Sequence, residues 1–152
     1  DVTGVSLGWI TLTKAGRENP DLCFDEWPWQ VAQPCGETMA RRAQAVTWAR
    51  LSDEGLLARR WRIAPNVDSE TTGRPGATDP EHIVLRQRRG LCRAVEMTTA
   101  SGGVLGACDG ELTLAQITDA VSAILEVDHD ALLIEVLPLV RECLRYGILE
   151  TA

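Results

Sequence analysis

The sequence predicts an α+β fold in which short antiparallel strands and hairpins accompany helices and the chain ends in a winged-helix-like helical lobe. Short segments such as Arg60 to Ala64 alternate apolar and polar residues, as strands do. Longer segments such as Asp130 to Tyr146 repeat apolar residues at helical spacing. Hydrophobic residues make up 45% of the chain and charged residues 24%, which is typical of a folded domain and excludes disordered and fibrous classes.

The first 34 residues are predicted to form two strands and an extended linker. Val5 to Leu12 is β-rich and uncharged, which indicates a buried strand. A second strand around Leu22 to Trp27 is expected to pair with it, and the prolines that bound Pro28 to Pro34 favour an extended segment. Because the chain opens on Asp1 and runs into an apolar strand, we expect it to be part of a longer polypeptide.

Residues 35–99 are predicted to contain two helices, a strand, a loop and a hairpin. A helix is expected from Gly36, and Ser52 is expected to cap a short second helix that ends at Ala58. The first helix should present an apolar face formed by Met39, Ala43, Val46 and Ala49 or Arg50. After a strand at Arg60 to Ala64, the Gly- and Pro-containing stretch from Val67 to Pro80 is expected to be a mobile loop.

An arginine-rich hairpin is predicted next. Ile83 to Arg88 and Leu91 to Thr98 are two β-prone runs separated by Arg89-Gly90, where glycine provides the positive φ of a tight turn. The arginines clustered here are Arg86, Arg88, Arg89 and Arg93. Guanidinium groups match phosphate oxygens, so a polyanion contact is one interpretation. The alternative, which we favour, is a solvated strand face neutralised by acids of the chain, because no aromatic residue is interleaved for base stacking.

Residues 100–152 are predicted to form the lobe, with three helices followed by a strand. A small-residue helix covers Ala100 to Cys108, and Thr113 with Gln116 fits a capping box at the start of a helix that ends at Leu125. The apolar face of this helix is predicted to comprise Ile117, Val121, Ile124 and Leu125. Asp128 or Asp130 should cap the last helix, whose predicted buried residues are Leu133, Leu137, Val140 and Leu144. This order is typical of a winged helix-turn-helix.

Charge, cysteines and hydropathy limit the possible functions. The net charge of −7 divides into −4 for residues 1–38, +5 for residues 39–93 and −8 for residues 94–152. Long-range attraction to nucleic acid is therefore weak, and only a local arginine patch could contact a polyanion. The five cysteines are scattered, so we expect free thiols and a cytoplasmic protein. The two histidines are isolated and are not expected to form a metal site. The apolar runs are too short for a membrane span.

Two stretches together resemble a known family. They are Gly4-Val5-Ser6-Leu7-Gly8-Trp9-Ile10-Thr11-Leu12, and Leu105-Gly106-Ala107-Cys108-Asp109-Gly110-Glu111-Leu112-Thr113 with its tail Tyr146-Gly147-Ile148-Leu149. They resemble the C-terminal region of actinobacterial class I S-adenosylmethionine-dependent methyltransferase-like proteins, whose catalytic half is similar to the N5-glutamine and nucleic-acid amino methyltransferases. The matching residues follow core patterns and include no catalytic signature.

The resemblance implies an accessory role. Residues 1–34 would continue the methyltransferase sheet, residues 35–99 would form an accessory region, and residues 100–152 would form the winged-helix-like lobe. The sequence contains no recognisable counterpart of the family's cofactor and catalytic motifs, which are a glycine-rich turn, an acidic residue for the ribose and an Asn-Pro-Pro-aromatic motif. S-adenosylmethionine is therefore expected to bind the full-length protein and not this chain. The implied partners are the N-terminal catalytic domain and a protein or RNA substrate, and the fragment is expected to self-associate.

Three further points separate the possible functions. Trp27 and Trp29 could form a stacking surface for a ligand, but we favour core packing for such large rings. Asp25 with Glu26, and Asp128 with Asp130, are interpreted as turn and cap residues and not as acid–base pairs. The alternative function is a free-standing winged-helix regulator or interaction module. The apolar strand at the start of the chain favours the accessory role over this alternative.

Overall fold

The fold comes from a computed structural model that describes residues 3–4, 8–12, 14, 16, 18, 22–27, 31–76 and 80–152. It combines helices with two small antiparallel sheets, so the predicted α+β class is confirmed. The helices are α1 (Gly36–Ala49), α2 (Asp53–Leu57), α3 (Thr99–Gly106), α4 (Leu114–Leu125) and α5 (His129–Tyr146). The strands are β1 (Arg60–Ile63), β2 (Val67–Thr72), β3 (His82–Gln87), β4 (Ala94–Met97), β5 (Asp109–Thr113) and β6 (Leu149–Thr151).

The first sheet has the strand order β5-β1-β6 and joins the C-terminal helices to the middle of the chain. Its central strand, β1, pairs antiparallel with both neighbours, with Arg60 opposite Thr113 on one side and Ile63 opposite Leu149 on the other. The central strand therefore comes from outside residues 100–152, and the predicted lobe shares a sheet with the segment before it. The winged-helix interpretation of that lobe stays a prediction.

The second sheet has the order β2-β3-β4 and contains the predicted hairpin. β3 pairs with β4 from Ile83 opposite Met97 to Arg86 opposite Ala94, which confirms the hairpin, but the connection covers residues 88–93 and is longer than the predicted tight turn at Arg89-Gly90. Gly90, in the connection, has a φ of +70°, and a Cβ there would collide with the side chain of Thr38. Both observations explain why glycine occupies this turn.

One hydrophobic core lies where α3, α4 and α5 meet the two sheets. Trp61 from β1 is fully buried, and its indole N–H donates to the carbonyl of Leu56 at 3.1 Å. The ring of Trp48 meets that of Trp61 edge to face, with centroids 6.4 Å apart. Other hydrophobic residues with no more than 1% exposure are Leu56, Val104, Leu105, Leu114, Val136, Val140, Cys143, Leu144 and Ile148.

The helix ends follow the predicted capping chemistry. The Ser52 hydroxyl accepts from the amide of Gly55, and the Thr113 and Gln116 side chains form the reciprocal capping box that starts α4. The Asp128 carboxylate accepts from the amide of Ala131 at 2.8 Å, which selects Asp128 over Asp130 as the cap of α5. Gly147, with a φ of +70°, ends this helix in the left-handed conformation.

Two predictions of local structure are wrong. Residues 8–12 and 22–27 form no strand and are largely exposed, so neither half of the expected N-terminal hairpin is present there; Val5 to Leu7 lie outside the described residues. The expected mobile loop begins instead as strand β2, which pairs with β3 over its whole length. Its side chains beyond Val67 are polar and exposed, so this edge strand has no apolar alternation that could predict it.

The helix faces were predicted less accurately than the helices. The buried residues of α1 are Ala45 and Ala49, whereas Ala43 is exposed. On α4, Ile117 is buried as expected but Ile124 is 76% exposed. The α5 stripe is confirmed at Leu137, Val140 and Leu144, and Leu133 is half-buried. Within the described residues, no helix has the length and apolar character to cross a membrane.

Candidate functional site

Two of the four hairpin arginines are paired with acids across the second sheet. The Arg86 Nε lies 2.8 Å from Glu70 Oε1, and the Arg88 Nε lies 3.2 Å from Asp68 Oδ2. Arg88 also donates to the carbonyl of Pro65 at 3.0 Å. In the β2–β3 register Asp68 lies opposite Arg86 and Glu70 opposite Val84, so both ion pairs are diagonal, and a phosphate would have to compete with them.

Arg93 lies apart from the other three, in a half-buried cluster that we call the Arg93 clamp: Asp25, Trp27, Arg93 and Tyr146. Its guanidinium carbon lies 3.9 Å from the centre of the Trp27 ring and 4.5 Å from that of Tyr146. Its Nη2 lies 3.2 Å from Asp25 Oδ1. Burial lowers the pKa of Arg93 from its usual value of 12.5, but an arginine in this position keeps its charge.

The clamp holds residues 22–27 against α1 and the hairpin. Asp25 is ion-paired with Arg42 of α1 as well as with Arg93, and Arg42 Nη2 also donates to the Cys23 thiol at 3.4 Å. Sequence reasoning assigned Asp25 to a turn and missed this role, because nothing local to residue 25 identifies partners 17 and 68 positions away. Trp27 is half-buried on Arg93, and Trp29 lies outside the described residues.

Arg89 is exposed at the turn of the hairpin and makes no ion pair with the described residues. The four predicted arginines thus have different surroundings. Arg86 and Arg88 are ion-paired with acids of β2, Arg93 is half-buried in the clamp, and Arg89 is exposed. Three of them therefore already have partners in the chain, and the polyanion contact stays a prediction.

A groove of about 400 Å³ lies between α2 and α5, and we call it the α2–α5 groove. Its apolar lining residues are Leu57, Leu133, Ile134, Leu137 and Pro138. Arg141 also lines it, but its guanidinium donates to the carbonyls of Ala49 and Leu51 at 2.7 and 2.6 Å and to the Asp53 carboxylate at 2.5 Å. These bonds fix Arg141 to the chain itself. The sequence did not predict this groove, because the groove exists only where α2 and α5 lie side by side in the folded chain.

The remaining polar candidates have structural partners. His82, at the surface, lies 2.6 Å from Glu96 Oε1, and the half-buried His129 lies 3.1 Å from Asp119 Oδ1. Among the residues that the structure describes, no group of three potential metal ligands is found. All five cysteines are free thiols, and burial raises the pKa of Cys108 to about 12 and that of Cys143 further.

Comparison with known proteins finds no matching family model, no matching curated protein and no matching solved structure.

Proposed function

We propose that the chain is a non-catalytic accessory region that docks, through its N-terminal apolar segment, onto the catalytic domain of an S-adenosylmethionine-dependent methyltransferase. One observation carries the docking role: Trp9, Ile10 and Leu12 are 61%, 89% and 90% exposed within five residues. Leu22 and Phe24 add two further exposed apolar side chains. Contiguous apolar surface of this kind normally marks a protein interface.

The identity of the partner rests on sequence resemblance. The exposed residues belong to the Gly4–Leu12 stretch that resembles a late strand of the methyltransferase sheet. In the proposed assembly this stretch adds to the edge of that sheet, and its apolar side chains are covered by the catalytic domain. The catalytic domain holds S-adenosylmethionine, and this chain helps to position a protein or RNA substrate.

The proposal includes the setting in which the chain acts. Five free thiols fit a reducing cytoplasm, which is where we place the protein. Without the catalytic domain, the exposed segment promotes self-association of the fragment. A methyltransferase role also requires that the gene encode a cofactor-binding domain before Asp1.

Hydrogen exchange tests the docking directly. At concentrations where this chain alone is monomeric, the amides of residues 8–12 should exchange rapidly, and they should exchange at least tenfold more slowly in a polypeptide that also contains the proposed catalytic domain. Ile10→Asp should remove that protection, whereas Ile124→Asp, at a similarly exposed position on α4, should leave it unchanged. Equal exchange in the two polypeptides, or a gene without an upstream cofactor-binding domain, would refute the proposal.

A further inference from the structure

The α2–α5 groove is separate from the N-terminal segment and presents apolar surface of its own. Ile134, one of its lining residues, is 77% exposed although α5 buries six of its other residues. The opposite face of α5 buries Val136, Val140 and Leu144 in the core. Leu137 belongs to this core as well and Leu133 packs against it, so within the α5 wall of the groove Ile134 and Pro138 are the exposed apolar residues that the core leaves uncovered.

The charges around the groove are acidic. The carboxylate of Asp130 is 94% exposed, and that of Asp53 is 60% exposed even with Arg141 bound to it. The guanidinium of Arg141 is paired with Asp53, so these two charges largely offset each other and the exposed Asp130 gives the groove lining its net negative charge. Residues 100–152, which supply most of the groove, contain nine acidic residues against Arg141 and Arg145. A positively charged ligand is therefore favoured.

A hydrogen-bond acceptor is also available at the groove. Pro138 lies inside α5 and has no amide hydrogen, so the carbonyl of Ile134, four residues earlier, lacks its usual helical donor. Both residues line the groove. A cationic side chain that reached this wall could donate to that carbonyl and to Asp130.

We propose that the α2–α5 groove binds an amphipathic helix of a partner protein, with aliphatic side chains in the groove and an arginine or lysine beside them. The volume lies within the range of about 300–1,000 Å³ typical of ligand sites. Aliphatic anchors at helical spacing are the usual occupants of grooves between helices. A second copy of this chain is disfavoured, because apposing two such grooves would bring the acidic rims together.

Two synthetic helical peptides with the same leucine face provide the test, one flanked by arginines and the other by glutamates. Each is titrated calorimetrically into the whole chain. The arginine peptide should bind at least tenfold more tightly than the glutamate peptide. Asp130→Lys should reduce this preference at least threefold.

Two matched variants locate the binding surface. Ile134→Glu should weaken the arginine peptide at least tenfold, whereas Ile124→Glu, at an equally exposed position on α4, should not. Thermal melts confirm that both variants are folded. The proposal is overturned if neither peptide binds, if the two bind equally, or if Ile134→Glu binds like the unsubstituted chain. It is also overturned if sedimentation shows a dimer that Ile134→Glu dissociates, because a second copy would then occupy the groove.

Discussion

Gln87 links the second sheet to the end of α5, and replacing it with methionine should destabilise the whole domain. Gln87 is 3% exposed, and its Nε2 donates to the carbonyls of Tyr146 and Gly147 at 2.7 and 3.2 Å. Its Oε1 accepts from the amide of Arg93 at 3.3 Å. The carbonyl of Tyr146 is among the last of the helix, which have no donor within the helix itself. Gln87 therefore caps α5 from a strand 59 residues away in sequence.

The size of the effect follows from what methionine cannot do. It matches glutamine in length but donates nothing, so the carbonyl of Tyr146 loses its closest side-chain donor. An unsatisfied buried polar group costs about 1–3 kcal/mol, and with the Arg93 amide also affected we expect a loss of about 2–3 kcal/mol in the free energy of unfolding. That corresponds to a fall in Tm of about 4–12 °C for a domain of this size.

Urea unfolding followed by circular dichroism measures this change, with Gln44→Met on the exposed face of α1 as the control. The control should unfold within about 0.5 kcal/mol of the unsubstituted chain. If Gln87→Met unfolds at the same midpoint as the control, the side chain does not cap α5 and the account is wrong.

Three further predictions concern single groups and the cofactor. The hydrogen bond and charge of Glu96 raise the pKa of His82, so Glu96→Gln should return this pKa towards about 6.5 in an NMR titration. The small stabilisation that the pair contributes is present below pH 6.5 and is lost as the pH rises through the raised pKa of His82. An unchanged midpoint would contradict the pairing. Cys108 and Cys143 are buried and have raised pKa values, so they should resist iodoacetamide in the folded chain while the exposed Cys23 reacts. Mass spectrometry measures the labelling of each cysteine, and equal labelling of all three would contradict their burial. S-adenosylmethionine titrated into this chain should show no saturable binding at micromolar concentration, because the family's cofactor motifs have no counterpart in the sequence, and measurable heat of binding would remove the basis for the accessory role.

Elements with local signals were predicted well from the sequence. The capping box at Thr113, the Ser52 cap and the positive φ at Gly90 depend on residues within four positions of one another, and all of them are present in the structure. The buried stripe of α5 was also largely correct, because its apolar period is unbroken over three turns.

The features that were missed depend on distant partners. β2 is stabilised by the neighbouring strand and by ion pairs to Arg86 and Arg88, which local propensity does not indicate. β5 forms because β1 lies beside it, although its own residues suggest only a turn. The N-terminal segment shows the opposite error: a strong β pattern in residues 8–12 forms no strand, because a strand also needs a partner to pair with. The Arg93 clamp and the α2–α5 groove likewise assemble residues that are far apart in the chain.

The packing of α5 also bears on whether the lobe could read DNA as a winged helix would. A recognition helix must offer base-contacting side chains on an exposed face, with cations nearby for phosphates. The exposed positions of α5 include Ile134, Glu135 and Glu142, and Arg141 is tied to Ala49, Leu51 and Asp53. Arg145 alone remains on this helix as an exposed cation. We therefore expect a Kd for duplex DNA of about 10 µM or weaker at physiological salt, within the range of about 10⁻⁴–10⁻⁶ M that is typical of nonspecific binding. Fluorescence anisotropy with a labelled duplex measures this, and Arg145→Ala should not change the result. Submicromolar, salt-sensitive binding that Arg145→Ala abolishes would show that α5 contacts DNA and that its exposed face does not serve a protein partner.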